Sequence, residues 1–213
     1  MPAAVLQAES AAAILSRMDQ AAPGFQAMSA NVRLTTYTAT IDDKTVEDGT
    51  LVMQRLKKNG SVRAILDFRQ QKDARVIAFL GNVVRMYWPK TQFYQDYDFG
   101  KNNNLMDQLL LLGFGSSGKE LAAGYDITAE GTENVGGQDT TKLLLIPKSA
   151  SVKEKLLKIE IWIPANAAYP IQQRFYQPAN NYLLAAYSGI DFKPVIKGKQ
   201  LDFKPPPGAK KGS

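Results

Sequence analysis

A chain of 213 residues, 45% of them hydrophobic and with a formal net charge of +6, is long enough to bury a full core as a single domain. It has no cysteine and no histidine, which excludes disulfides, thiol nucleophiles and thiolate metal sites and removes the commonest general base. Apolar runs such as Leu109–Leu112 fall far short of the roughly 20 residues that a membrane-spanning helix needs.

The first ten residues, MPAAVLQAES, lack the positive and long apolar regions of an export signal. A helix is expected over residues 10–20. Ser10 can cap it, and Ile14, Leu15 and Met18 supply an apolar stripe at spacings of three and four. Pro23-Gly24 stops it. From Phe25 the period falls to two. Val32, Leu34, Thr36 and Thr38 alternate with Arg33, Thr35 and Tyr37, a turn is expected over 42–44, and a second strand over 49–57. Asn59-Gly60 is a strong hairpin signal. The next strand sets Val62, Ala64, Leu66 and Phe68 on one face. Strands follow over 76–80, 83–88 and 91–99. Short turns make such a meander antiparallel.

The two-residue period breaks over 102–126. Asn104 can cap a helix over 105–112, ended by Gly113 and Gly115, and a second short helix fits 119–123. Gly113–Gly118 reads as a hinge rather than a phosphate loop, because no Gly-Lys-Ser/Thr arrangement surrounds it. Strands resume over 125–133, 140–147, 156–163, 171–177 and 182–192, with a last extended piece over 199–204. A sheet of ten or eleven strands must curl, close or split. The expected fold is therefore mainly β: a curved, incomplete antiparallel barrel with an N-terminal helix and a helical lid over its concave face. We expect one domain over 1–213, with loose ends at 1–9 and 205–213.

Four motifs in this order resemble the LolA family of periplasmic lipoprotein carriers. They are GTLVMQR (49–55), GNVVRMYWPKTQ (81–92), LLLIPK (143–148) and LDFKPPPGA (201–209). The resemblance spans about residues 10–209. It departs from the family at Leu56, where a proline usually follows the arginine, and at Arg85, where tryptophan is common. The resemblance implies a periplasmic carrier whose export signal has been removed. Such a carrier binds the acyl chains of lipoproteins, or another lipid, and transfers them toward the outer membrane. An acceptor of the LolB kind, or a lipid-sensing module that does not shuttle, is the alternative. The implied partners are the cargo, an inner-membrane donor complex and an outer-membrane acceptor. No nucleic acid is expected, since no clustered basic and stacking motif is present, and the chain is expected to be a monomer.

The inward apolar set read from the alternation is Leu51, Met53, Val62, Ala64, Leu66, Phe68, Met86, Phe93, Leu105, Leu109 and Leu112. These residues either line a lipid cavity or pack a closed core. Each CH₂ of an acyl chain moved from water into such a site gains about 0.8 kcal/mol. Arg55 shares the face of Leu51 and Met53, where an unpartnered guanidinium would be costly. Its fork suits carbonyls at the end of the helical insert, and the resemblance implies that it latches the lid. The alternative is an exposed arginine at a strand end. Asp42, Asp43, Glu47 and Asp48 lack the spacing of a calcium loop and read as a solvated hairpin tip. The lysines from Lys193 to Lys211 either form a loose tail or steer the chain to anionic lipid. Neither a nucleophile-elbow motif nor a histidine is present, so no enzyme, metal or cofactor is expected.

Overall fold

The computed structural model describes residues 9–56, 61–70, 72–81, 83–98, 112–198 and 200–212. Three α-helices lie among them: α1 (Ala11–Ala21), α2 (Gly118–Gly124) and α3 (Ala150–Lys153). The first six strands are β1 (Ala27–Thr38), β2 (Asp43–Arg55), β3 (Val62–Asp67), β4 (Val76–Leu80), β5 (Val83–Trp88) and β6 (Phe93–Asp98). After α2 come β7 (Tyr125–Val135), β8 (Gln138–Pro147), β9 (Lys158–Pro164), β10 (Gln172–Tyr176), β11 (Tyr182–Asp191) and β12 (Lys210–Lys211). The strand order is β12-β6-β5-β4-β3-β2-β1-β11-β10-β9-β8-β7. With β12 and β7 at its two ends, this mainly β sheet is open rather than closed into a barrel.

The chain divides into two interleaved units. One comprises Met1–Gly24, Leu34–Val46 and Gly113–Ala186, the other Phe25–Arg33, Glu47–Leu112 and Tyr187–Ser213. In the first unit, α1 starts where expected. The Ser10 side chain accepts from the Ala13 N–H at 3.2 Å, and Ile14 and Met18 are buried while Leu15 is half-buried. Ser117 and Glu120 form a reciprocal capping box for α2, which satisfies two otherwise orphaned donors. Gly118 lets α2 approach α1 closely, since a Cβ there would collide with the Leu15 carbonyl oxygen. Across β8 and β9 the register sets Leu143 opposite Ile161 and Leu145 opposite Ile159, and all four are fully buried. Directly opposed apolar pairs of this kind are the unit of sheet stabilisation.

In the second unit, β2 to β6 form the expected antiparallel meander. The structure adds two corrections. The turn before β2 is a 3-10 segment at Ala39–Ile41 that closes on Asp42 at φ 47°, so the strand begins at Asp43 and not at Gly49. The last extended piece is not a strand over 200–204. The final strand is β12, inside the end expected to be loose, and it pairs in parallel with β6. The Lys210 N–H donates to the Gln92 carbonyl at 2.7 Å and the Gly212 N–H to the Tyr94 carbonyl at 2.8 Å. Among the described residues the strands thus number twelve rather than ten or eleven. Among the described residues, no helix is long and apolar enough to cross a membrane.

Candidate apolar binding face

The pairing register of the second unit decides which side chains share a face, because successive residues of a strand alternate between its two sides. Leu51 lies opposite Leu66, Met53 opposite Ala64 and Arg55 opposite Val62. Ala64 in turn faces Phe79, and Leu66 faces Ile77. Ile77 faces Met86, and Phe79 faces Val84. Trp88 then lies opposite Phe93. One side of β2–β6 therefore carries Leu51, Met53, Arg55, Val62, Ala64, Leu66, Met86 and Phe93, as the alternation predicts. It also carries Ile77, Phe79, Val84 and Trp88, which the sequence reading did not single out.

Burial is uneven across this face. Met53, Val62 and Ala64 are fully buried and Leu51 nearly so. Toward β6, Leu66, Ile77, Phe79, Met86, Trp88 and Phe93 are only half-buried, and Tyr97, in phase with Phe93, is 39% exposed. The Trp88 and Phe93 rings lie 5.7 Å apart. Phe68 is different: it is only 1% exposed, lies beside Gly49, and has the Arg75 guanidinium 4.8 Å above its ring. It fills core. Leu112 is fully buried in a turn, not in a helix. Leu105 and Leu109 lie outside the described residues.

Arg55 ends β2 on the apolar side. Its backbone N–H donates to the Gln26 carbonyl at 2.8 Å, and its guanidinium stands 5.7 Å from the centre of the Phe25 ring. Phe25 is buried and meets Phe192 edge-on at 6.4 Å. Arg55 is half-buried, so it is neither a fully exposed strand end nor a sealed core charge.

The opposite side of the same strands carries ion pairs among buried Val76, Ala78 and Tyr87. Arg85 grips Asp96 through two nitrogens at 2.6 and 2.9 Å. These hydrogen bonds hold the Asp96 carboxyl below its usual range, against the upward pull of burial, and Lys211 at 3.3 Å adds to them. Arg63 pairs with Asp202. The acidic stretch is also engaged: Glu47 pairs with Arg75, and Asp48 with Arg33 at 2.8 Å. Among the described residues, no cluster of three or more carboxylates suits a metal ion.

No family model and no curated protein matches the sequence. Solved structures do resemble it. A conserved protein from Thermus thermophilus is 12% identical, with 95% of this chain and 98% of that one covered and a TM-score of 0.55. MucB is 14% identical, with 90% of this chain and 62% of that one covered and a TM-score of 0.50. A LolA superfamily protein from Nitrosomonas europaea is 13% identical, with 89% and 96% covered and a TM-score of 0.41. At such identities the likeness is one of fold alone, shared with the Thermus thermophilus protein and MucB.

Proposed function

We propose that the chain binds the acyl chains of a lipoprotein, or another lipid, on the apolar side of β2–β6 and carries them through the periplasm toward the outer membrane. The observation that supports this reading most is the gradient of burial across that side. Here the apolar residues continue past the buried patch of Met53, Val62 and Ala64 to Leu66, Ile77, Phe79, Met86, Trp88 and Phe93, which stay half-open. Contiguous apolar surface of this kind marks a binding surface in water. Covering it contributes about 25 cal/mol per Å², and a methylene chain needs no polar anchor to gain that energy. The buried Phe68 lies outside the proposed lining, and Arg55 is proposed as the residue that controls release.

The test is saturable binding of a hydrophobic fluorescent probe and its displacement by a long-chain acyl ligand. Leu66 is half-buried, so Leu66→Trp can add bulk to the face without filling a closed core. The expected outcome is a several-fold loss of acyl capacity with the fold intact by circular dichroism. Absent probe binding, or binding indifferent to Leu66→Trp, would refute the site. Transfer from donor to acceptor vesicles tests the shuttle itself, and binding without transfer would leave a binding module.

A further inference from the structure

On the side of β3–β5 that carries Arg63 and Arg85, the C-terminal segment borders an open concavity of about 290 Å³ lined by Arg63, Leu80, Arg85, Asp202, Phe203 and Lys204. Its volume is close to the roughly 300 Å³ at which small-ligand pockets begin. The register builds one wall, since Arg63 lies opposite Leu80 and Arg85 follows two strands on, on the same side. Phe203 forms the other wall. Its ring packs against Tyr87 at 5.8 Å, and Leu201 beside it is buried, so the segment is fixed there and does not merely drape over the strands.

The charges of the lining do not balance. Three cations meet one carboxylate, Asp202, and that carboxylate is committed to Arg63. Asp96 engages Arg85 from outside the pocket through Nε and Nη2, and is itself offset by Lys211. The remaining Arg85 nitrogen, Nη1, donates only a long hydrogen bond of 3.4 Å to the Phe203 carbonyl. Lys204 is exposed and has no carboxylate partner among the described residues. The donors left at this concavity are thus Arg85 Nη1 and the Lys204 ammonium, beside the apolar Leu80 and Phe203. Guanidinium forks match the tetrahedral oxygens of phosphate, and a phosphate monoester carries between one and two negative charges near neutral pH.

We propose that this pocket binds a phosphate ester, with its anion between Arg85, Arg63 and Lys204 and its carbon part against Leu80 and Phe203. The ester is either the headgroup of a phospholipid or a soluble organophosphate, since both present the same chemistry. The site lies on the other side of the strands from the proposed acyl face and does not depend on that reading.

Isothermal titration calorimetry with glycerol 3-phosphate, and with glycerol and acetate as controls, tests it. Saturable binding of the phosphate ester that weakens with added salt is expected, with neither control binding comparably. Lys204→Gln should weaken binding about threefold, the scale of one partly exposed ionic contact. Asp202→Asn removes the competing carboxylate and should tighten it by a similar factor. A gain of affinity is something a merely structural role for Asp202 would not produce. Both variants should keep the probe binding of the acyl face. Phosphatidylglycerol vesicles that compete with glycerol 3-phosphate identify the headgroup as the ligand. Vesicles that do not compete identify the soluble ester. Background heats with glycerol 3-phosphate, or equal affinity in the two variants and the parent chain, would overturn the proposal.

Discussion

Gly49 shows how a residue can carry a structural demand that composition hides. In the sequence it only opens the motif GTLVMQR. In the structure a Cβ at this position would stand 2.6 Å from both the Asp67 carbonyl oxygen and the Phe68 ring. Backbone cannot retreat as a flexible side chain can, so the strand pair must open or Phe68 must leave its buried site. Gly49→Ala is expected to cost about 1–3 kcal/mol, the usual scale of overpacking. Gly24→Ala, where nothing lies within 4 Å of the added methyl, should change stability by less than about 0.5 kcal/mol. Urea denaturation of the two variants checks this, and equal midpoints would contradict it. Arg55 was legible at the same scale, because alternation alone sets it beside Leu51 and Met53. Its neighbour Phe25 was not legible, since the two are far apart in sequence and their contact depends on where β1 enters the sheet.

Strands with a near-regular alternation, such as β3, which Ile65 alone interrupts, were legible in position and in face. β4 was legible only in position. Val76-Ile77-Ala78-Phe79-Leu80 is continuously apolar, so period two cannot say which side chains face together. Only the pairing of Ile77 with Leu66 and of Phe79 with Ala64 joins them to the candidate face. β12 was illegible for the opposite reason. Lys210 and Lys211 have no strand character, and they are held by backbone bonds to an edge. The pocket beside them escaped notice because Arg63, Arg85 and Asp202 are distant in sequence and each reads singly as a surface charge. These edge elements share one titrating group, Asp96. Its folded pKa lies below the unfolded value near 4, chiefly because Arg85 donates to it. The stabilisation is therefore present above the unfolded pKa and is lost as pH falls through the folded one. The melting temperature should drop as the medium is taken from about pH 5 to about pH 3. Asp96→Asn should start lower at neutral pH and drop less over that interval. Parallel curves for the two proteins would show that the Arg85–Asp96 pair contributes nothing to acid sensitivity.

At the scale of the molecule, the order of helix, meander, helix and meander was readable and yields an open, mainly β sheet. Release of an acyl chain, which the proposed function requires, depends on how an equilibrium shifts and not on where strands lie, and only the family resemblance pointed to Arg55 for it. We assign that control to Arg55. The apolar side it shares and its guanidinium near the Phe25 ring place this half-buried residue at the margin of the proposed acyl face. A cation over a ring contributes about 0.5–1 kcal/mol at an exposed site and about 2 kcal/mol when desolvated. Leucine regains part of that by suiting an apolar neighbourhood. Arg55→Leu should therefore move the melting temperature by only a few degrees, since 1 kcal/mol corresponds to about 2–4 °C for a chain of this size. Acyl binding should persist or tighten, because the face becomes more apolar. Transfer from loaded protein to acceptor vesicles should slow by about tenfold or more, the factor that corresponds to 1.4 kcal/mol. An arginine that merely ends a strand predicts unchanged binding and unchanged transfer. The two outcomes separate cleanly in one assay in which labelled acyl ligand is followed from the loaded variant into acceptor vesicles, with Arg55→Lys as the test of charge without the fork. If the lysine variant transfers like the parent, positive charge at this margin is enough. If it behaves like leucine, the planar geometry of the guanidinium is what release requires.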